Sequence, residues 1–234
     1  MESLFVLTND DGVDAPGMAA LRRAVEGLGP AAVIAPRGAA SGCGHQVTTH
    51  QPIAFSRRDD GAIAVFGTPA DCVRLAVAGL APRVRCVLSG INAGGNLGTD
   101  VYISGTVAAA REAAIRGLPA IAVSHYIARG RVIDWERAAA WAAPVIRDLL
   151  ARPSAPGTYW NVNLPHPEPG GVFPGVCECP LDPSPLPLAY EFDGDTALYA
   201  GNYQARARIP GGDVDVCFGG RIAVSLLAVG PGGS

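Results

Sequence analysis

The sequence predicts an α/β fold of three layers, a mostly parallel sheet with helices on both faces, extended at its carboxyl end by a β-rich arm. Three observations lead there. Up to residue 127, short apolar runs alternate with helical stretches at the spacing of β–α units. Helix-start signals, with Pro at a first helical turn, follow several of those runs. Beyond residue 128 the pattern changes to one helix, a proline-rich stretch and late strand-like segments.

Leu4–Thr8 reads as the first strand, and residues 19–28 carry a helical apolar stripe behind Asp14 and Pro16. Residues 31–35 form a second strand ending at Pro36, and residues 37–50 a long loop with three glycines. Residues 63–66 are strand-like. Thr68-Pro69-Ala70-Asp71 opens a helix with Pro at N1 and an acid at N3. Residues 84–88 are a further strand, leading into a loop at Ser89-Gly90-Ile91-Asn92. The Ala-rich helix 106–116 is closed by Gly117, and residues 120–124 are the next strand. Residues 134–150 form an amphipathic helix that Pro144 should kink or shorten; Trp135 and Trp141 are assigned to packing. Residues 159–164 are strand-like, residues 165–187 an exposed connector, residues 190–209 and 222–229 strand-forming, and the last residues frayed. The chain thus divides into a Rossmann-like core over 1–127 and a C-terminal part over 128–234 that completes the fold and an oligomer interface.

The bulk composition limits function. A length of 234 residues supports one sizeable core, and a net charge of -3 argues against a basic grip on duplex nucleic acid. The six cysteines include no CxxC pair, since Cys177 and Cys179 are too close, which favours free thiols in a reducing compartment. No basic segment precedes the first apolar run, and no apolar stretch approaches ~18 residues. A soluble cytoplasmic protein without a membrane span is expected.

Asn9-Asp10-Asp11-Gly12 follows the first strand directly. Where a strand breaks into a turn, adjacent carboxylates can reach one cation, and oxygen ligands of this kind suit Mg²⁺, Mn²⁺ or Ca²⁺. A capping Asx turn is the plainer reading of the dipeptide alone. The glycine- and amide-rich run from Ser89 to Gly98 can bring backbone N–H groups to a phosphate. Ser104-Gly105-Thr106 opens the next helix, so its amides face an anion with the positive helix end behind them. Parallel sheets bind ligands at the carboxyl ends of their strands, where all these segments would lie.

Together these segments resemble the SurE family of stationary-phase survival proteins. The matching stretches are Thr8-Asn9-Asp10-Asp11-Gly12 with Ala15-Pro16-Gly17, Ala35-Pro36 with Ser41-Gly42, and Gly67-Thr68-Pro69-Ala70-Asp71-Cys72-Val73. They continue with Ser89-Gly90-Ile91-Asn92-Ala93-Gly94-Gly95-Asn96-Leu97-Gly98 and Ser104-Gly105-Thr106-Val107-Ala108-Ala109-Ala110-Arg111-Glu112. The resemblance implies a metal-dependent 5′(3′)-nucleotidase, with one divalent cation (Mg²⁺ or Mn²⁺, with Ca²⁺ able to occupy the site) on Asp10, Asp11, Ser41 and Asn92. Asn9, Asn96, Ser104, Gly105 and Thr106 match the family's phosphate side. It further implies a nucleoside monophosphate or similar small phosphomonoester as substrate, and a homo-oligomer exchanging C-terminal segments; the reduced segments of this chain, residues 128–133 and the proline-rich connector, favour the dimer over the tetramer. Arg37 stands where the family has an acid, and Ile103 where it has tyrosine before Ser-Gly-Thr.

The implied reaction is attack of an activated water on phosphorus, with Asp10 or Asp11 as its proton acceptor and Asn9 beside them. His45 is a candidate to protonate the leaving alkoxide or contact phosphate. An aspartyl-phosphate mechanism fits less well: it wants Asp-x-Asp and a lysine, and this chain is poor in lysine. A phosphatase for another small phosphomonoester and a non-catalytic nucleotide-binding module remain the other readings.

Overall fold

The computed structural model describes residues 3–166 and 172–230. Its main sheet has nine strands: β1 (Leu4–Thr8), β2 (Ala31–Pro36), β3 (Phe55–Arg57), β4 (Ile63–Val65), β5 (Val84–Ala93), β6 (Ala120–His125), β7 (Thr158–Leu164), β8 (Val176–Glu178) and β11 (Ile222–Ala228). A separate hairpin joins β9 (Tyr190–Asp193) to β10 (Thr196–Tyr199). The order across the main sheet is β3-β4-β2-β1-β5-β6-β7-β11-β8. β4, β2, β1, β5, β6 and β7 are mutually parallel, and β11 returns antiparallel beside β7. The chain steps outward from β1 to β2 and β4, then crosses back to β5 on the other side of β1. That reversal opens a crevice between the carboxyl ends of β1 and β5, where such sheets bind ligands.

Helices α1 (Pro16–Ala24) and α4 (Trp135–Ala151) pack together on one face, and α2 (Pro69–Leu75) and α3 (Gly105–Ile115) on the other. Each face holds its own apolar cluster, the first around Phe5, Leu7, Leu21, Leu88 and Ile146, the second around Val6, Ile34, Val65 and Val107. Fully burying a side chain of this size contributes about 1.5–3 kcal/mol. Gly17 is required where α1 crosses the sheet, because a Cβ there would fall 1.9 Å from the Ile91 carbonyl oxygen. Thr68 caps α2 by accepting the Asp71 N–H while Asp71 accepts the Thr68 N–H, the expected reciprocal pair. Helix α3 is buried nearly all round, and its alanines let it lie close to β5 and β6.

Several expectations change. β5 runs on to Ala93, so Ser89 to Asn92 belong to the strand, with an irregular register against β6. Pro144 leaves α4 at its full 17 residues. Pro144 and Ala140 are both exposed, so water can satisfy the Ala140 carbonyl that loses its partner. Part of the stretch 165–187 is regular: β8 pairs parallel with β11 at the sheet edge, a place that tolerates flanking prolines. Within the same stretch Asp182 is buried, accepting the N–H groups of Ser184 and Ile209. Residues 167–171 of that stretch and the terminus 231–234, expected to fray, lie outside the described residues. Residues 190–209 contain the hairpin and a short 3₁₀ turn, Tyr203–Ala205. Helix α5 (Asp213–Phe218) was not anticipated; its six residues are too few to display a periodic stripe. No helix among the described residues is long and apolar enough to cross a membrane.

Candidate active site

The turn after β1 is built by Asn9, which is fully buried. Its Nδ2 donates to the Gly12 carbonyl (2.9 Å) and its Oδ1 accepts the Gly12 N–H (3.1 Å). Gly12 has φ +108°, a conformation L side chains rarely adopt, and its Cβ would press on Gly38 at 3.2 Å. This closed turn aims Asp10 and Asp11 out of the sheet edge. Asp10 is 4% exposed and accepts the Thr106 hydroxyl. Burial pushes the Asp10 carboxyl above its usual range, Thr106 opposes that, and Asp11 adds to it. Asp11 Oδ2 accepts the Ala93 N–H at 3.0 Å, which ties the β1 turn to the end of β5.

Asp10, Asp11, Ser41, Asn92, Asn96 and Ser104 line one cleft of about 330 Å³ at this edge. Asn92 Nδ2 donates to the Gly94 carbonyl (2.8 Å), which leaves Oδ1 as an available acceptor. Ser41 sits on an exposed tip of the loop after β2, next to Ala40, whose N–H donates to the Asp10 carbonyl (2.7 Å). Ser104 caps α3, accepting the Val107 N–H at 3.0 Å. Gly105 is where the helix meets the acid: a Cβ there would fall 2.8 Å from Asp10 Cβ and 3.0 Å from Cys43 Sγ. Asp100, Ile103, Leu186 and Tyr203 also line it.

Nine of the ten singled-out residues gather at this edge, but not in equal roles. Asn9, Gly105 and Thr106 shape the site from behind the lining. His45 does not line the cleft. After Gly44 the loop turns along α3, and His45 Nε2 lies 2.9 Å from Glu112 Oε2. A different cleft, about 300 Å³ at the amino ends of β5 and β6, is bordered by Arg85, Leu149 and Trp160 and contains no acid among its lining residues.

Sequence reasoning missed the braces. Asn161 and Asn163 of β7 both donate to the Asn96 carbonyl (2.9 and 3.0 Å), and Asn163 Oδ1 accepts the Asn96 N–H at 2.8 Å. Asn96 Nδ2 in turn donates to Ser124 (2.7 Å). From the C-terminal part, Asp213 accepts the Gly98 N–H (2.7 Å), and buried Arg206 donates to Asp100 Oδ2 at 2.8 Å beside the Tyr203 hydroxyl. Asparagines alternating through an otherwise apolar strand were the one visible signal of this bracing.

The sequence model of the family described as Survival protein SurE matches residues 5–178. A Nostoc sp. (strain PCC 7120) protein, whose name as a 5′-nucleotidase is provisional, is 55% identical over 225 residues, 96% of this chain and 99% of that protein. The 5′-nucleotidase SurE of Rhizorhabdus wittichii is 44% identical over 176 residues, 72% of this chain and 69% of its own. The crystal structure of SurE from Aquifex aeolicus superposes with a TM-score of 0.84 at 31% identity, covering 97% of this chain and 94% of that one. With a family match across most of its length and a fold shared almost end to end, the chain belongs to the SurE family.

Proposed function

We propose that this protein is a 5′/3′-nucleotidase that releases phosphate from nucleoside monophosphates with the help of one divalent cation, Mg²⁺ or Mn²⁺. The observation that supports this best is the cleft wall itself: two strand-end carboxylates, a hydroxyl and an amide oxygen border one space beside the N-terminus of α3. This donor set fits a hard cation, because two carboxylates offset its charge and neutral oxygens fill further positions. Asp10, Asp11, Ser41 and Asn92 would hold it. Such a cation supplies Lewis-acid polarisation of the phosphoryl group and makes a water more acidic.

The chain's own residues do the rest. Thr106 holds Asp10 in orientation, so that Asp10 or Asp11 accepts the attacking water's proton. The amide end of α3 and Asn96 take the phosphate oxygens on which charge builds. Ile103, Leu186 and Tyr203 offer the leaving group an apolar wall. The C-terminal hairpin supports a homodimer: Phe192 and Leu198 stand 79% and 70% exposed and belong to none of the apolar clusters formed by the described residues. Light scattering at micromolar concentration should give twice the monomer mass, and a monomer would refute that assembly. The cytoplasm is the proposed location.

Phosphate release from a panel of nucleoside 5′- and 3′-monophosphates and sugar phosphates, with Mn²⁺, with Mg²⁺ and with chelator, tests the activity. Turnover abolished by chelator and restored by Mn²⁺ is expected. Activity on sugar phosphates alone would favour another small phosphomonoester, and metal-independent or absent turnover would overturn the reading.

A further inference from the structure

The loop between β2 and β3 carries Ser41, and hydrogen bonds fix it on both sides of that residue. Before Ser41, the Arg37 N–H donates to the Val65 carbonyl (2.8 Å) and the Ala40 N–H to the Asp10 carbonyl of the β1 turn (2.7 Å). After Ser41 the ties come in succession. Gly44 N–H donates to the Ile103 carbonyl (3.0 Å), and Thr68 donates to the Gln46 carbonyl (2.6 Å). Thr48 donates to Asp71 through both its N–H and its hydroxyl (2.8 Å each). Among these, the pair between His45 Nε2 and Glu112 Oε2 at 2.9 Å joins two side chains across 67 residues.

Glu112 is not an ordinary surface partner. Its side chain is 3% exposed, its Oε1 accepts two N–H groups of Arg116 (3.0 and 2.8 Å), and Arg74 stands 3.7 Å away. A buried carboxylate held on both oxygens is a rigid post. It also sits on α3, six residues beyond Thr106, which bonds Asp10. One helix therefore holds both sides of the cleft, Asp10 through Thr106 and the Ser41 loop through Glu112.

We propose that His45 and Glu112 are positioning residues: their pair clamps the Ser41 loop against α3 and so sets the affinity of the cleft for a divalent cation. This rests on the metal-site reading above. Without the clamp, Ser41 must be ordered at the moment of binding, and binding weakens while chemistry at saturating metal does not. Partners that orient metal ligands from behind typically account for about 10–100-fold in affinity.

Calorimetric titration of the purified full-length protein with Mn²⁺ alone, without substrate, is the test. His45→Ala should raise the Kd for Mn²⁺ about tenfold. His45→Gln, whose amide can reach Glu112, should restore it to within about threefold. Glu112→Leu should match His45→Ala, and combining the two should add nothing further. If Glu112→Leu does not fold, the two His45 variants still decide. Turnover of His45→Ala at saturating Mn²⁺ should equal the wild type. An unchanged Kd in His45→Ala overturns the clamp alone, as does a loss of kcat that saturating Mn²⁺ does not restore. Absence of Mn²⁺ binding by the wild type overturns the metal site, and the clamp with it.

Discussion

Gly105→Ala adds one methyl group at the closest approach between α3 and the acids. Its Cβ would stand 2.8 Å from Asp10 Cβ and 3.1 Å from Asp10 Oδ2. Ordinary carbon–carbon contact begins near ~3.5 Å, so the helix start or the Asp10 side chain must give by about 0.7 Å. Overpacking of this kind costs roughly 1–3 kcal/mol. The substitution also removes a helical glycine, which returns up to about 1 kcal/mol, and φ at Gly105 is not positive. The net loss is then about 0–3 kcal/mol, or at most roughly 12 °C in Tm for a chain of this size. Activity should suffer far more, because Asp10 and the amides of α3 are the groups displaced. A misplacement approaching 1 Å can cost about 10²-fold. The assay is kcat/KM for phosphate release at saturating Mn²⁺ beside a thermal melt. Gly38→Ala serves as control, since its Cβ meets nothing within 4 Å. A Gly105→Ala enzyme within about threefold of wild-type kcat/KM would show that the contact between α3 and Asp10 does not govern the chemistry.

Asp10→Asn removes a charge and little volume; it should abolish most turnover with the melt unchanged, and near-wild-type turnover at saturating metal would refute its role. Arg206→Met leaves the buried Asp100 carboxylate without its cation, which should destabilise by about 3–5 kcal/mol. Adding Asp100→Asn should recover part of that loss in urea unfolding, and strict additivity would contradict the pairing. Burial holds the His125 imidazole down at about 4, against 6.5 unfolded, with His166 and Arg137 adding to the effect. The unfolded chain therefore takes up this proton first as pH falls. Stability should drop between pH 6.5 and 4 by about 3 kcal/mol from this residue, and none of that drop should occur above pH 7. His125→Asn should flatten that part of the urea-stability profile; equal slopes would refute it.

Much of the core was legible because its signals are local. Alternating apolar runs and helical stripes report which faces are buried, and Thr68-Pro69-Ala70-Asp71 encodes its own helix start. The place of Asp10 and Asp11 at the end of the first strand, beside a glycine turn, was legible from the apolar run before them, whereas their proposed metal role rests on the family resemblance. What failed depends on partners distant in sequence. β8 is too short to announce itself and exists because β11 offers an edge at residues 222–224. The intact α4 reflects where Pro144 faces, which periodicity alone does not price. His45 read as a catalytic candidate from its nearness to Ser41, yet only the packed course of the loop along α3 decides that it meets Glu112. The same holds for Asn161, Asn163, Arg206 and Asp213, which reach residues 96–100 across 65 to 115 residues. By itself the sequence determined the α/β class, most of the parallel core strands and the place of the two acids at a strand end, because propensity and patterning act over a few residues. Only the tertiary structure decided which polar groups complete the cleft and which merely hold it, because a buried hydrogen bond forms wherever folding brings a donor to an acceptor.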